Sequence, residues 1–348
     1  MTQNNNETYK ILVTGGAGYI GSHAVLELLD NNFSVVILDK NLPNAVFGDY
    51  IYNLPDEKCR FIHGDLLDLK LLDQIFKEYN FSGIIHFAAD PAFVSQNSIY
   101  VKNYYTNNVI SSINLIDLAR EFGVKNFVFS STAAMYGNPE ILPITEDSKL
   151  APINVYGYTK SIVEKMLLDY GEIYQLNSVR LRYFNACGAD KLGRSGEAHD
   201  PEIHLIPNIL KSVGTDKIFK LFGNDFDTID GTCVRDYIHV NDLASAHVAA
   251  LKLLIQANES GETITQVINL GTGNGYSNLQ IFETARKIVG EDILFEYDKR
   301  RAGDPGTLIA ENKKAHLILG WRPVHSSLEN IIQTAWDWEN SYYRNIKK

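Results

Sequence analysis

The chain has 348 residues, a formal net charge of −10 and 45% hydrophobic content. That is a globular balance, with enough apolar material for buried cores. The negative field disfavours nucleic acid and anionic membranes, so an anionic small molecule needs a local cationic pocket.

Met1 to Lys10 is polar and Asn-rich and lacks the apolar core of a signal peptide. No apolar run reaches the roughly 18 residues of a membrane-spanning helix. Cys59, Cys187 and Cys233 are far apart and odd in number, as expected of buried, reduced thiols in a cytoplasmic protein.

The first predicted strand, Lys10–Thr14, runs directly into Gly15-Gly16-Ala17-Gly18-Tyr19-Ile20-Gly21 and a helical pattern over Tyr19–Asp30. Gly15, Gly18 and Gly21 permit a tight turn and close backbone approach to a pyrophosphate. The helix start offers that anion its free N–H groups and positive dipole end. A glycine triplet alone is a weak sign; between a strand and a helix it reads as a dinucleotide site.

The second strand, Val35–Asp39, ends eighteen residues after Gly21. A carboxylate at Asp39 accepts hydrogen bonds from both adenosine ribose hydroxyls and repels a 2′-phosphate, so NAD is expected rather than NADP. The third strand, Arg60–His63, leads to Gly64-Asp65, and Asp65 is placed to reach the adenine. After a helix over Leu69–Tyr79, the fourth strand, Gly83–Phe87, ends in Phe87-Ala88-Ala89, small enough to leave room for the cofactor backbone. Tyr19, Ile20, Asn41 and Leu66 complete the contacts expected along this edge.

A helix over Asn107–Glu121, a strand over Asn126–Ser130, a helix over Tyr156–Tyr174 and a strand over Val179–Arg182 follow. Short, nearly continuous apolar strands alternating with helices predict an α/β fold, a doubly wound parallel sheet of Rossmann type.

Beyond Asn185 the rhythm changes. Ala186–Glu202 and Asp225–Thr232 read as loops, Val240–Leu254 as a helix and Gln266–Leu270 as a strand. Residues 8–185 are expected to form the NAD-binding domain, with 240–270 returning to it. Residues 186–239 and 271–348 form a smaller, interleaved substrate lobe. Capping boxes are predicted at Ser277 with Gln280 and at Ser326 with Glu329. His199, Asp200, Glu202 and His204 are metal-ligand types, but their loop position and mixed spacing argue against a site, and no metal is expected.

Tyr156 and Lys160 are four apart and share one face of a helix. A phenol is a poor base at neutral pH, and a nearby ammonium together with a positive nicotinamide ring favours the phenolate. Tyr-x-x-x-Lys also occurs by chance in many helices. Here Ser130-Ser131-Thr132 ends the preceding strand at the edge where such sheets bind ligands, and the Thr132 hydroxyl can bond the same substrate oxygen.

With that order of parts the chain resembles the extended short-chain dehydrogenase/reductase family and, within it, the UDP-glucose 4-epimerases. The resemblance runs from about Tyr9 to Trp338. It is carried by Val13 to His23, by Leu181-Arg182-Tyr183-Phe184-Asn185, by Phe222-Gly223-Asn224-Asp225 and, most specifically, by Asp230 to Val240.

It implies Tyr156 as base, Lys160 as its activator and NAD anchor, and Thr132 as third member. Asn107 would bridge cofactor and core, and Tyr183 or its neighbour would approach the nicotinamide. For a UDP-sugar it implies Asn185, His204, Leu205, Tyr237 and the guanidinium clamps Arg235 and Arg301, with Asp304 on ribose hydroxyls. Leu308 stands where some members carry a tyrosine and others a smaller residue that admits N-acetylated sugars. A homodimer built on the helices at 107–121 and 156–174 is also implied.

The chain departs from the family at Asp90–Ser98, in place of a Val-Gly-Glu-Ser-like element, and at Val155, in place of a proline. A 4,6-dehydratase would resemble Thr-Asp-Glu where this chain has Thr132-Ala133-Ala134, whose methyl groups cannot transfer protons. A decarboxylase similarly carries an acidic residue nearby. A non-catalytic NAD-binding regulator would not need Thr132, Tyr156 and Lys160 intact.

Overall fold

A computed structural model describes residues 9–43, 47, 50–90, 98–290, 292–301 and 304–340, with backbone only at 98–100. Seven parallel strands form the main sheet: β1 (Lys10–Thr14), β2 (Ser34–Asp39), β3 (Cys59–His63), β4 (Gly83–His86), β5 (Asn126–Thr132), β6 (Asn177–Tyr183) and β7 (Thr265–Leu270). Their order is β7-β6-β5-β4-β1-β2-β3. The order reverses between β1 and β4, and such a switch point opens a crevice at the strands' carboxyl ends.

Strand periodicity decides what covers each face. Ile11 and Val13 of β1, with Val35 and Ile37 of β2, pack beneath α1 (Tyr19–Asp30) and α5 (Val240–Ser260). Leu12 and Val36, one residue out of phase, pack beneath α2 (Leu69–Glu78), α3 (Ser111–Glu121) and α4 (Val155–Tyr174). Both faces are thus dry, which is why every residue of β2 and β5 is buried and why these strands read as unbroken apolar runs.

The lobe has its own core, including Ile209, Phe219, Leu221, Phe282 and Ile331. It is stitched to the sheet just after β6, where Asn185–Cys187 pairs in parallel with Tyr237–His239. Asp236, fully buried, ties three segments together: its carboxylate accepts from Thr272 N at 2.8 Å, Gly273 N at 3.1 Å and Ala310 N at 3.2 Å. β7 lies beside β6, so the chain from 265 to 270 rejoins the main sheet. Among the described residues no helix is long and apolar enough to cross a membrane.

Two local expectations are corrected. The capping box at Ser277 forms with Gln280, but the next helix, Leu328–Trp338, is capped one residue later than predicted, by Ser327. Ser326 is held elsewhere. Its hydroxyl donates to buried Asp242 at 2.6 Å and accepts from His239 N at 2.8 Å. The helix predicted over Asn107–Glu121 has another course. A helix over Ser98–Tyr104 passes through a π-helical turn, Tyr105–Ile110, before α3 begins. Such turns insert one extra residue and often mark functional sites.

Candidate active site

A cavity of about 1010 Å³ runs from the crevice between β1 and β4 into the lobe. It is lined along one side by Gly15, Gly18, Tyr19, Ile20, Gly21, Asp39, Asn41, Asp65, Leu66, Phe87, Ala88 and Ala89. Ser130, Thr132, Tyr156, Lys160, Tyr183 and Asn107 line its middle. Asn185, His204, Leu205, Arg235, Tyr237, Arg301 and Asp304 line the lobe side.

The glycine cradle leaves no room for side chains. A Cβ on Gly15, which has φ +74°, would sit 2.4 Å from Ala88 N, and one on Gly21 would sit 2.2 Å from Gly15 O. Gly18 caps α1 without a side-chain bond, so the first-turn N–H groups stay available to an anion. The Asp39 carboxylate accepts from Ala17 N and from Asn41 N, each at 2.9 Å. Those bonds orient it, while burial raises its pKa above the ordinary value. A dinucleotide with free ribose hydroxyls fits these residues.

At the cavity's centre, Asn154 caps α4 by accepting from Gly157 N at 2.8 Å, which sets Tyr156 and Lys160 on the first turn and a half. Tyr156 bonds the Thr132 hydroxyl, and Tyr183 bonds Ser130. Lys160 Nζ is buried, donates to Ser130 O at 2.8 Å and lies 5.8 Å from the centre of the Tyr156 ring.

Burial pushes the Tyr156 phenol up to about 12, with the Thr132 bond acting against it. Burial also brings Lys160 down to about 7, although Glu164 pulls it upward. The protein's own groups therefore do not depress the phenol. Desolvation outweighs the Thr132 bond, which leaves the lowering of the phenol pKa to the pair expected to favour the phenolate, the Lys160 ammonium and a positive nicotinamide ring together.

The π turn divides a role that the sequence reading gave to Asn107. Asn107 lines the cavity and donates to Asp90 Oδ2 at 2.7 Å. Asn108, almost fully buried, makes the link to the core: it accepts from Asp90 N at 2.7 Å and donates to Thr159 Oγ1 at 3.0 Å. Residues 91–97, most of the departure from the family pattern, lie outside the described residues.

Leu308 is not among the residues that line the cavity. It packs with Phe184, Tyr136, Ala133 and Ile144, and of these Phe184 does line it. Phe184, the neighbour of Tyr183, lines the cavity, and residues overlooked in the sequence include Phe222 and Asn278, both on its wall. Phe222 stacks against Arg301, whose guanidinium carbon is 4.2 Å from the ring centre. Arg235 is pinned, donating from Nη1 to Val234 O at 2.9 Å.

Of the four metal-type residues, Asp200 stands outside the cluster and Glu197 takes its place. Ligand atoms of Glu197, His199, Glu202 and His204 lie within 4.8 Å of one another. They are engaged in mutual hydrogen bonds of 2.7–2.9 Å.

Residues 11–271 match the NAD dependent epimerase/dehydratase family. The chain belongs to that family. It is 45% identical to a UDP-glucose 4-epimerase of Lactobacillus helveticus over 334 residues, covering 96% of this chain and 98% of that one. A Brucella ovis UDP-glucose 4-epimerase in complex with NAD is 39% identical, with a TM-score of 0.83 over 94% of this chain and 98% of that one. A Bifidobacterium longum UDP-glucose 4-epimerase in complex with NAD+ and UDP is 35% identical, with a TM-score of 0.85 over 96% and 98% of the two chains.

Within the NAD dependent epimerase/dehydratase family, Asp39 bears on the choice of dinucleotide. Its oriented, buried carboxylate is placed to accept from ribose hydroxyls, so NAD is expected to bind at least about tenfold tighter than NADP. Asp39→Ser should narrow that ratio. Calorimetry with both dinucleotides checks it, and equal affinities in the parent protein would remove Asp39 from the selection.

Proposed function

We propose that the protein is an NAD-dependent UDP-hexose 4-epimerase, inverting C4 of a UDP-hexose through a 4-keto intermediate. The observation that carries the reading is the continuity of one cavity: glycine cradle, Thr132–Tyr156–Lys160 and a lobe face bearing Arg235, Arg301 and Asp304. A nucleotide sugar is long enough to place its sugar against Tyr156 while its nucleotide fills the lobe.

When bound, NAD accepts the C4 hydride and later returns it. Tyr156 receives the 4-hydroxyl proton, and Thr132 holds the same oxygen. Lys160, anchored on Ser130 O, is placed to hold the cofactor ribose. Burial holds the phenol up at about 12, and the positive charge of a bound nicotinamide ring would favour its ionised form. The keto sugar would turn in the site before its other face is reduced, so that no net oxidation results.

Exposed apolar residues on α3 and α4, including Ile113, Tyr158 and Ile173, support a homodimer through these helices. A one-chain mass by light scattering would argue against it.

The deciding experiment is turnover of UDP-galactose, UDP-glucose and UDP-GlcNAc, with products identified and NAD measured in the purified protein. Interconversion at C4 without net NADH is the expected result. No epimer from any of the three sinks the proposal.

A further inference from the structure

The loop between the main sheet and the lobe carries more charge than its surface position requires. The Glu197 and Glu202 side chains are nearly buried, at 9% and 5% exposure, and close enough to repel. His204 lies between them. Its Nδ1 sits 2.7 Å from Glu197 Oε1 and 2.9 Å from Glu202 Oε1. The same Glu197 oxygen accepts from His199 Nδ1 at 2.7 Å, and Glu202 Oε1 also accepts from Ile203 N and His204 N, each at 2.9 Å. Nδ1 is therefore committed to the two carboxylates. Nε2, at the far side of the ring, makes no hydrogen bond among the described residues, and the ring lines the cavity.

We infer that Glu197 and Glu202 are positioning residues that hold His204 as an imidazolium and present its Nε2–H to the cavity as a fixed cation for the diphosphate of the UDP-sugar. The inference rests on the UDP-sugar reading above. A cation supplied this way adds to Arg235 and Arg301 on the cavity wall against the −10 field of the whole chain.

The charge state agrees with the geometry. Burial acts to lower the His204 pKa, but the bonds and charges of Glu197 and Glu202 outweigh it and raise the ring to about 10. Burial acts to raise Glu197, and the two histidines overcome it, holding the carboxyl down at about 2. Around this trio lie His199, Lys211 on Glu202 Oε2 at 3.3 Å, and Tyr19 and Cys187, which burial keeps neutral. The cation is present at all pH below about 10 and is lost only as pH rises through that value.

The test is calorimetric binding of UDP-glucose to the NAD-loaded Tyr156→Phe protein, in which turnover is suppressed, from about pH 6 to 9. With the glutamates intact, affinity should be flat across this window. Adding Glu197→Gln and Glu202→Gln returns the ring to the ordinary histidine range. Affinity should then fall by about tenfold or more between pH 6 and 8.5, the scale of one charge-assisted hydrogen bond. His204→Asn should bind weakly at every pH. With Tyr156 restored, the glutamine variants should raise KM and largely keep kcat.

A pH-independent loss shared by KM and kcat would mean the glutamates only shape the loop, and the inference fails. It fails also if the new pH dependence appears for NAD and not UDP-glucose, or if a tightly bound divalent metal is found in the protein. If the double variant does not fold, histidine NMR of the parent decides: a His204 ring titrating near 6.5 overturns the inference, and one still protonated at pH 9 upholds it. No UDP-glucose binding by the Tyr156→Phe protein would overturn the substrate reading and this inference with it. Binding that stays flat in the double variant overturns the inference alone.

Discussion

Replacing Tyr156 by Phe is expected to lower turnover by about a hundredfold or more while leaving the fold and NAD binding intact, the usual loss for a positioned acid–base group. The ring occupies the same buried site in the variant, and its packing is retained; what disappears is the oxygen bonded to Thr132. Nothing else described at the cavity's centre can take its place. Tyr183 is engaged with Ser130 rather than with Thr132, and burial pushes its pKa well above the ordinary phenol value, so it stays neutral. Lys160 is held on the Ser130 carbonyl, with its nitrogen 5.8 Å from the centre of the Tyr156 ring. Steady-state kcat with UDP-galactose, measured beside NAD content and thermal midpoint, is the check. Near-normal turnover in a folded, NAD-loaded variant would remove Tyr156 from the chemistry.

How far this site could be read from the sequence depends on the kind of signal each part leaves. The dinucleotide half was readable because strands covered on both faces spell out apolar runs, as β2 does, and because Gly15 and Gly21 sit where any Cβ would strike backbone. The lobe was not. Its strands Val234–Arg235, Tyr276–Ser277 and Thr307–Leu308 are two residues each, too short to carry a period, so Leu308 could not be assigned an inward or outward face.

The division of labour between Asn107 and Asn108 follows from a π turn that no spacing rule announces. Ser326 and Ser327 are equally good caps by type, and only the tertiary pull of Asp242 on Ser326 chooses between them. Glu197 was missed for a related reason: a single carboxyl in a Gly-rich loop has no pattern until folding sets it against two histidines. For Phe222 a signal existed. It opens the Phe222-Gly223-Asn224-Asp225 block that carried the family resemblance, but nothing in that block reveals its stacking on Arg301.

Glu164→Gln is expected to cost about 3–5 kcal/mol of stability, because it breaks an ion pair that water does not reach. Glu164 meets Arg182 in a two-pronged contact, Oε2 to Nη2 at 2.6 Å and Oε1 to Nε at 2.9 Å, and both side chains are about 5% exposed. Ser131 also donates to it, and Arg182 continues to Tyr136 OH at 2.9 Å, which donates to Asn269 at 2.7 Å. Removing the carboxylate leaves a guanidinium buried without its counter-charge. For a chain of this size the thermal midpoint should drop by about 4–7 °C.

A second consequence separates stability from chemistry. Glu164 stands one helical turn beyond Lys160 and is the group that pulls its pKa upward against burial. Without Glu164 the lysine should fall below its value of about 7. A lysine holds its charge below its pKa, so the ammonium proposed to anchor the cofactor is then lost at lower pH, and turnover should decline earlier as pH rises. Replacing both partners, Glu164→Met with Arg182→Met, fills the same space with apolar atoms and should recover most of the stability, since such exchanges are often neutral or better. It should not recover the pH profile, because the negative charge beneath Lys160 is still missing. Thermal melts and pH–kcat curves on the single and double variants settle the matter. If the double variant regains both, Glu164 serves the fold alone.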